Sequence, residues 1–456
     1  MKVGVRLKLL RRTLRGRRVL AQHVVEFKPP RAYPDEDLNG KEIIDIVASI
    51  VMSCPNLEEL VGFYPVYHHE FDRLTYALST RRKLKEQIWI MGENSAITQR
   101  SLKQLPPGLM DQEQVDGFLN YHQQWDSLTT LFLHSHKGGI LERNVFSAVL
   151  QDLPSLQHLS ISNFDIDDFD DFILQNLPPL QSLRLQDLEG VTYRGLSDFA
   201  RSPSAQTLRS LSLVHLDIAY LSTITTLLLY LQQLHRFTFV QESSPILPTD
   251  ELIFQPIIAS NSLKYLHWDI LRPGTANPNL ASSIRADGFP SLRTLRAPLD
   301  HDGLLQSLCR PRATILLPSD KYSKAYRTAH APENPHPLSL NLFEARKAAQ
   351  ARIDEAREHT GFRVVVEEDG EVIEFYDFEA FIGTIGSKIW YTLEPDVTAS
   401  DDALIDIGDL MTGGREGGPL RDGCTGLWNA SHQAGKKWWC HAERWRYQAV
   451  DLKRFF

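Results

Sequence analysis

The sequence predicts an α/β protein in which short parallel strands alternate with helices. A Leu-x-x-Leu-x-Leu-like triplet returns nine times, and most separations between copies are 24 to 29 residues. The segments between copies carry apolar residues at the spacing of a helix. A period of this length built on this triplet is typical of a leucine-rich-repeat solenoid, a curved parallel sheet with outer helices. The leading positions are Leu57, Leu84, Leu128, Leu156, Leu180, Leu208, Leu234, Leu263 and Leu292.

Each triplet predicts one short strand whose leucines point toward the helices and are buried. The 44-residue step from Leu84 to Leu128 is too long for one repeat and too short for two. We therefore expect an inserted loop before Trp125. The strands predicted for this one sheet cover residues 57–61, 128–133, 156–161, 180–185, 208–213, 234–239, 263–268 and 292–296.

The first 20 residues contain eight lysines and arginines and no acidic residue. Leu7, Leu10 and Leu14 lie at helical spacing, which predicts a helix with an apolar stripe under a solvated basic face. An irregular first strand follows at residues 24–27. A nuclear import patch and a mitochondrial presequence are the alternatives, although a presequence would normally also be rich in serine.

The composition changes after Cys309, where prolines accumulate and apolar residues become few. The C-terminal region is predicted to hold a charged helix from Asn341 to Arg357, a β-hairpin around Asp369-Gly370 and a Trp-rich end. We expect it to form a small α+β appendage that caps the last repeats. The predicted domains are the solenoid with its basic N-terminal helix at 1–317, a Pro-rich linker at 318–340 and the C-terminal region at 341–456.

Charge and cysteine content narrow the function classes. The 456 residues carry a formal net charge of −8, so no global basic field favours nucleic acid as a partner. Four cysteines in a chain of this length argue against a disulfide scaffold and for a reducing compartment, cytoplasmic or nuclear. The uncharged apolar stretch from Ile218 to Leu234 has polar interruptions and is too short for a membrane span, so we expect no membrane partner.

Two clusters of functional groups could be sites. The acidic run from Asp165 to Asp171 follows a strand directly, which favours helix capping over a cation site. Four possible zinc ligands near the C-terminal end lack the short paired spacing of structural zinc sites, which favours ordinary buried cysteines. No phosphate-binding loop and no nucleophile motif occurs in the sequence. We therefore predict a non-enzymatic protein without metal or cofactor. The four possible ligands are Cys424, His432, Cys440 and His441.

The positions that alternate with the leucines should line up on the opposite, concave face of the sheet. Arginine and tyrosine are residue types that anchor interfaces, and arginine pairs with carboxylate or phosphate groups. We therefore expect an open face that binds an unidentified protein, with an acidic or phosphorylated segment as its target. A plain solvated sheet face is the alternative. The candidate residues are His158, Arg184, Arg236, Tyr265, His267 and Arg296.

Four segments give the chain a resemblance to filamentous-fungal F-box proteins with leucine-rich repeats. The resemblance covers most of the chain, and its C-terminal segment is more specific than the repeats. The segments are Ser53-Cys-Pro-Asn-Leu57-Glu-Glu-Leu60, Phe71-Asp-Arg-Leu74-Thr-Tyr-Ala-Leu-Ser-Thr80, Gly288-Phe-Pro-Ser-Leu292-Arg-Thr-Leu295 and Trp438-Trp-Cys-His441-Ala-Glu-Arg444.

The resemblance implies a substrate receptor of a Skp–cullin–F-box ubiquitin ligase, in which an F-box binds the Skp adaptor and the repeats hold the substrate. Only some 20 residues precede the first expected strand, and none matches the Leu-Pro-x-Glu-like start of an F-box helix. The resemblance therefore implies adaptor binding only where an F-box is present upstream. A repeat scaffold without ligase association is the alternative.

Overall fold

The fold is described from a computed structural model of the full chain. No helix among the residues that it describes is long and apolar enough to cross a membrane. The described residues are 3–29, 40–94, 109–247, 255–272, 274–297, 299–300, 304–305, 308–311, 364–368, 371–376, 390–391, 404–405, 407, 410 and 452–456.

The chain divides into two compact units, which are described separately. The first unit comprises Met1–Leu216 together with Val397–Phe456, and the second comprises Asp217–Asp396. Each unit contains parallel strands with helices between them, so the α/β class with a parallel sheet and flanking helices is confirmed.

The first unit is built on a parallel sheet whose strands follow one another in chain order. A short strand, β3, pairs with the edge of β4, and each later strand pairs with its predecessor. From β4 onward, each strand begins two residues after the leading leucine of its triplet, so that leucine lies just before the paired segment. The strands are β3 (Val66–Tyr67), β4 (Glu86–Met91), β5 (Thr130–Ser135), β6 (His158–Ser162), β7 (Ser182–Gln186) and β8 (Ser210–Val214).

The apolar alternation of the triplets places the leucines on the helix side of this sheet. Leu159, Leu183 and Leu211 are in register on adjacent strands, as are Ile161 and Leu185. All five side chains are buried, and Leu183 is 1% exposed. The prediction of buried leucine columns is therefore confirmed for these strands.

The turns that leave the strands have a common backbone feature. Asn163, Asp187 and His215 each directly follow a strand and have φ angles between 49° and 63°. Asparagine, aspartate and histidine are enriched in this left-handed region, so the residue types fit the turn. Asn163 also donates its side-chain amide to the carbonyl of Ser135 on the preceding repeat, at 2.8 Å.

Helices return the chain from one strand to the next, and several begin at polar caps. Asp72 accepts the backbone N–H of Thr75, and Thr192 accepts that of Gly195, as expected at helix starts. The helices of this part of the chain are α4 (Arg73–Ser79), α5 (Gln112–His122), α6 (Arg143–Gln151), α7 (Asp171–Gln175) and α8 (Tyr193–Arg201), in the order in which they follow the N-terminal helices.

The long step between Leu84 and Leu128 is not only a loop. Residues 95–108 lie outside the described part of the chain, but α5 occupies the second half of the step. Asp111 and Gln114 form a reciprocal capping box at its start. The residues of the predicted inserted loop therefore lie mostly outside the described part of the chain, and the helix after them was not predicted. Trp125 follows, fully buried, and donates its indole N–H to the Leu78 carbonyl at 3.1 Å.

The N-terminal part contains the expected basic helix and one helix that the sequence reasoning missed. The basic helix α1 (Val3–Gly16) buries Leu7 and Leu14 but leaves Leu10 exposed, and α2 (Arg18–Gln22) follows it. The missed helix, α3 (Gly40–Ser53), packs against α1. Strand β1 (Glu26–Phe27) pairs in parallel with β2 (Glu59–Leu60) in a separate two-stranded sheet. The prediction that the strand at 57–61 joins the main sheet is therefore wrong.

The described C-terminal residues of the first unit pack on strands near the start of the chain. Ile405, Ile407 and Leu410, and a 3-10 turn at Leu452–Phe455, bury apolar side chains in one cluster with residues of β4 and β5. The sequence predicts that the C-terminal region caps the last repeats. For these residues the expectation is wrong, because the apolar side chains that they cover lie on the first long strands of the sheet.

The second unit repeats the same parallel pattern. Strand β9 (Arg236–Gln241) pairs with β10 (Tyr265–Ile270), which pairs with β11 (Thr294–Arg296). The helices α9 (Leu221–Tyr230) and α10 (Ala276–Arg285) lie between them in sequence. Phe237, Leu266 and Leu295 are in register, and all three are buried. The leucine positions of the triplet therefore face the core in this unit too.

Short segments from later in the chain complete the second unit. Strand β12 (Arg310–Pro311) and a two-residue strand at Trp390–Tyr391 (β15) extend the sheet, and β15 pairs with β11. The strands β13 (Val364–Glu368) and β14 (Glu371–Tyr376) pair antiparallel, so the hairpin is confirmed. The expected linker at 318–340, the helix at 341–357 and the tryptophans after 427 lie outside the described residues.

We expect the substitution Leu183→Ala to lower the free energy of unfolding by about 2–5 kcal/mol, because it opens a cavity in the leucine column. Leu183→Asp would prevent folding, since it buries an unpaired charge. Chemical denaturation followed by circular dichroism measures the effect. The control, Ile166→Ala, removes an apolar side chain that is 56% exposed and should change stability by about 0.5 kcal/mol or less. Equal effects of the two alanine substitutions would contradict the buried column.

Candidate functional site

The candidate site of the first unit is the side of its sheet that faces away from the leucines, here called the first-unit strand face. Pairing in register arranges its side chains in rows across the strands. One row is formed by Ile88, Phe132, Ser160, Arg184 and Ser212. The side chains of this face are therefore held at fixed spacing by the backbone ladder.

The chemistry of this face changes from one strand to the next. Strands β4 and β5 contribute Ile88, Ile90 and Phe132, which are buried and apolar. Strands β6 to β8 contribute mainly hydroxyl groups, with Arg184 on β7 as the cation. One end of the face is thus apolar, and the other end offers a cation and hydrogen-bond donors.

The segment Leu452–Phe456 covers the boundary between these two parts. The Phe455 ring meets the Phe132 ring edge-on, with 5.0 Å between centroids, and the Arg184 guanidinium lies 5.1 Å from the Phe455 centroid. The Phe456 ring lies 5.5 Å from both the Phe132 ring and the His158 ring. Such ring pairs and cation–ring contacts each stabilise by roughly 0.5–1.5 kcal/mol.

A polar contact and an apolar cluster hold the two ends of the same segment. The Ser210 hydroxyl on β8 donates a hydrogen bond to the Phe456 carbonyl oxygen. Leu452 lies in the apolar cluster that contains Ile88 and Ile90 on the strands. The segment therefore crosses the face from its apolar end to its hydroxyl-bearing end.

The two predicted site residues of the first unit lie under this segment and not on an open face. Arg184 is 2% exposed, and its guanidinium donates to the Gln186 side-chain oxygen at 2.7 Å. His158 is half-buried, and burial together with the charge of Lys453 lowers the pKa of its imidazole. The expectation of an open face is wrong at these positions, because the chain covers them with its own residues.

The corresponding side of the second unit, here called the second-unit strand face, holds the other four predicted residues. The Arg236 guanidinium lies 3.9 Å from the centroid of the Tyr265 ring on the adjacent strand. Both side chains are half-buried. They form a cation–aromatic pair in which both side chains remain partly exposed.

The remaining two predicted residues are buried. His267 and Arg296 are in register on β10 and β11, and His267 is 2% exposed while Arg296 is fully buried. The His267 Nε2 atom lies 3.7 Å from an Asp269 carboxylate oxygen. The two positions are aligned as predicted, but the arginine and the histidine are withdrawn from solvent and do not lie on an open face.

The acidic run after β6 caps helices, as expected. Asp170 accepts the backbone N–H groups of Phe172 and Ile173, at 3.1 and 3.2 Å. Asp171 accepts the Thr192 backbone N–H at 2.8 Å and so connects the starts of α7 and α8. Within the described part of the chain, no group of three or more His, Cys, Asp or Glu side chains could hold a metal ion.

One carboxyl in this run has an unusual environment. Burial raises the pKa of Asp168 to about 7, and the nearby Asp165, Asp167 and Glu142 carboxylates add to the rise. A hydrogen bond from the Leu141 backbone opposes it. The two described cysteines, Cys54 and Cys309, are buried and unpaired, and burial raises the pKa of each thiol. Cys424, His432, Cys440 and His441 lie outside the described residues.

The functional segment that sequence reasoning missed is Leu452–Phe456. The sequence feature that indicates a covering segment is the residue type at the strand positions that face away from the leucines. Ile88, Ile90 and Phe132 alternate with inward residues, yet they are apolar where later strands carry serine or arginine. Apolar groups at such positions indicate that another part of the protein covers them.

Comparison with protein-family models and with curated proteins gives no match for this chain.

We expect Asp168→Asn to reduce the loss in free energy of unfolding that occurs as the pH rises from about 4 to 7. Because the folded-state pKa of Asp168 is raised from 3.8 to about 7, the folded protein binds this proton more tightly, and that stability is lost as pH rises through 7. Thermal unfolding at pH 5 and pH 8 should show a melting temperature that falls by several degrees less in the variant than in the parent. Asp152→Asn, at an exposed carboxylate, is the control and should behave like the parent. Identical pH profiles for all three proteins would refute the assignment.

Proposed function

We propose that this chain is a leucine-rich-repeat solenoid that binds a protein partner on its strand faces and catalyses no reaction. The recurring triplets and the buried leucine columns support the repeat architecture. Repeat proteins of this kind use their rigid sheet surface for binding.

One observation carries the proposal: the first-unit strand face holds a peptide segment, Leu452–Phe456, through side-chain contacts. The contacts combine aromatic rings, a guanidinium and a hydroxyl, which are the groups that anchor protein interfaces. A surface that holds a segment of its own chain in this way has the chemistry to hold another polypeptide. The Arg236–Tyr265 pair on the second-unit strand face offers groups of the same kind.

Within this proposal, the resemblance to F-box proteins favours a substrate receptor of a Skp–cullin–F-box ubiquitin ligase in the cytoplasm or nucleus. The repeats would hold the substrate, and an upstream F-box would bind the Skp adaptor. The second candidate is a scaffold that binds its partner without ligase association. The partner-binding chemistry of the strand faces is compatible with either candidate.

Recovery of the Skp adaptor separates the two candidates. A ligase receptor expressed from its complete reading frame should co-purify with the adaptor from the cells that produce it, and a scaffold should not. The presence of an in-frame upstream exon that encodes an F-box would support the receptor independently. Failure to recover the adaptor with such an exon present would contradict the ligase assignment.

We expect Arg236→Glu to weaken binding of a protein partner at least tenfold. The change removes the cation from the half-buried Arg236–Tyr265 pair and places a negative charge against the partner. The partner is first identified by proximity labelling, and its affinity for purified protein is then measured by calorimetry. Arg285→Glu makes the same change on an exposed residue of α10 and should bind like the parent. Equal affinity for both variants would exclude this face as the binding surface.

A further inference from the structure

The segment Leu452–Phe456 covers the first-unit strand face without being part of its sheet. It forms a 3-10 turn, and the strand pairing from β3 to β8 runs without it. The backbone ladder of the face therefore does not need this segment, whereas the segment depends on the face for the burial of Leu452 and Phe455.

The segment contacts the face through three side chains, and the contacts differ in chemistry. Leu452 joins the apolar cluster over β4. Phe455 contacts both the Phe132 ring, in a T-shaped arrangement, and the Arg184 guanidinium. Phe456 lies against Phe132 and His158, and its carbonyl oxygen accepts from Ser210.

The two residues between Leu452 and Phe455 are more exposed than these neighbours. Lys453 is exposed and Arg454 is half-buried, while Leu452 and Phe455 are almost completely buried. The apolar positions that contact the face thus follow the pattern of an aliphatic residue, two intervening residues and two adjacent aromatic residues, of which the second is half-buried. The guanidinium over the ring at the Phe455 position favours an aromatic over an aliphatic side chain there.

We propose that the first-unit strand face is a binding groove for a short peptide with a Leu-x-x-aromatic-aromatic pattern, and that Leu452–Phe456 is an intramolecular occupant that competes with it. The inference rests on the proposed protein-binding function and names the partner chemistry for one of the two faces. A partner that carries the pattern must displace the segment. Because the occupant belongs to the same chain, its local concentration raises the threshold for partner binding.

The competing explanation is that the segment is a permanent part of the core. In that case the groove never opens, and a peptide added from outside has nowhere to bind. The two explanations differ in the behaviour of the groove when the anchors of the segment are weakened, so binding of a peptide probe separates them.

The test uses the full chain with Phe455→Ala and Phe456→Ala combined, and a fluorescein-labelled peptide with the sequence of residues 450–456. Fluorescence anisotropy should show that the double variant binds this peptide at least tenfold more tightly than the parent. A peptide with alanine in place of both phenylalanines should not bind. Phe172→Ala, which removes a ring that is 59% exposed on α7, is the matched control and should bind the probe as weakly as the parent.

Hydrogen exchange on the unaltered chain covers the case in which the double variant does not fold. A displaceable occupant predicts that the amides of 452–456 exchange at least tenfold faster than those of β5 to β7, because the segment opens while the sheet stays paired. Exchange at the rate of the strands, or a folded double variant that fails to bind the probe, overturns the proposal. Neither result touches the Arg236→Glu test on the second-unit strand face, so a failure here is distinguishable from failure of the protein-binding function.

Discussion

The register of the parallel strands is the constraint on which both units depend. Because neighbouring strands pair residue for residue, one buried leucine on a strand requires a buried apolar residue at the same position on the next. Leu159, Leu183 and Leu211 show this in the first unit, and Phe237 with Leu266 shows it in the second. The same register fixes the residues that alternate with them, so the chemistry of each strand face follows from the burial of the opposite one.

An arginine side chain on such a face can be buried or can remain partly exposed, and the structure contains both cases. Arg184 is withdrawn from water, and its contacts include the Gln186 side-chain oxygen and the Phe455 ring. Arg236 stays half-buried and stacks on Tyr265. In the first arrangement the arginine contacts a segment of its own chain, and in the second the cation and the ring remain partly exposed. This difference is the physical basis for assigning separate roles to the two faces.

The apolar start of the first-unit strand face explains why the chain covers it. Ile88, Ile90 and Phe132 would otherwise place a continuous apolar patch in water, and such patches mark interaction sites. Leu452 and Phe455, together with Ile405, Ile407 and Leu410, remove that patch from solvent. The Phe455 ring also contacts the Arg184 guanidinium. Apolar burial and a cation–ring contact therefore both stabilise the position of the same five residues.

The sequence by itself determined the α/β class, the positions of the long strands and the burial of their leucines, because the period of the triplets and the two-residue alternation are local properties of the chain. It also determined which residues share a strand face, and it identified the caps of the acidic run. The separate pairing of β2, the helix α5 and the burial of Arg184, His267 and Arg296 were decided only by tertiary structure. Burial of an outward side chain depends on what else in the chain reaches it. Phe455 lies more than 250 residues from Arg184 in sequence, and no local pattern encodes a contact over that distance.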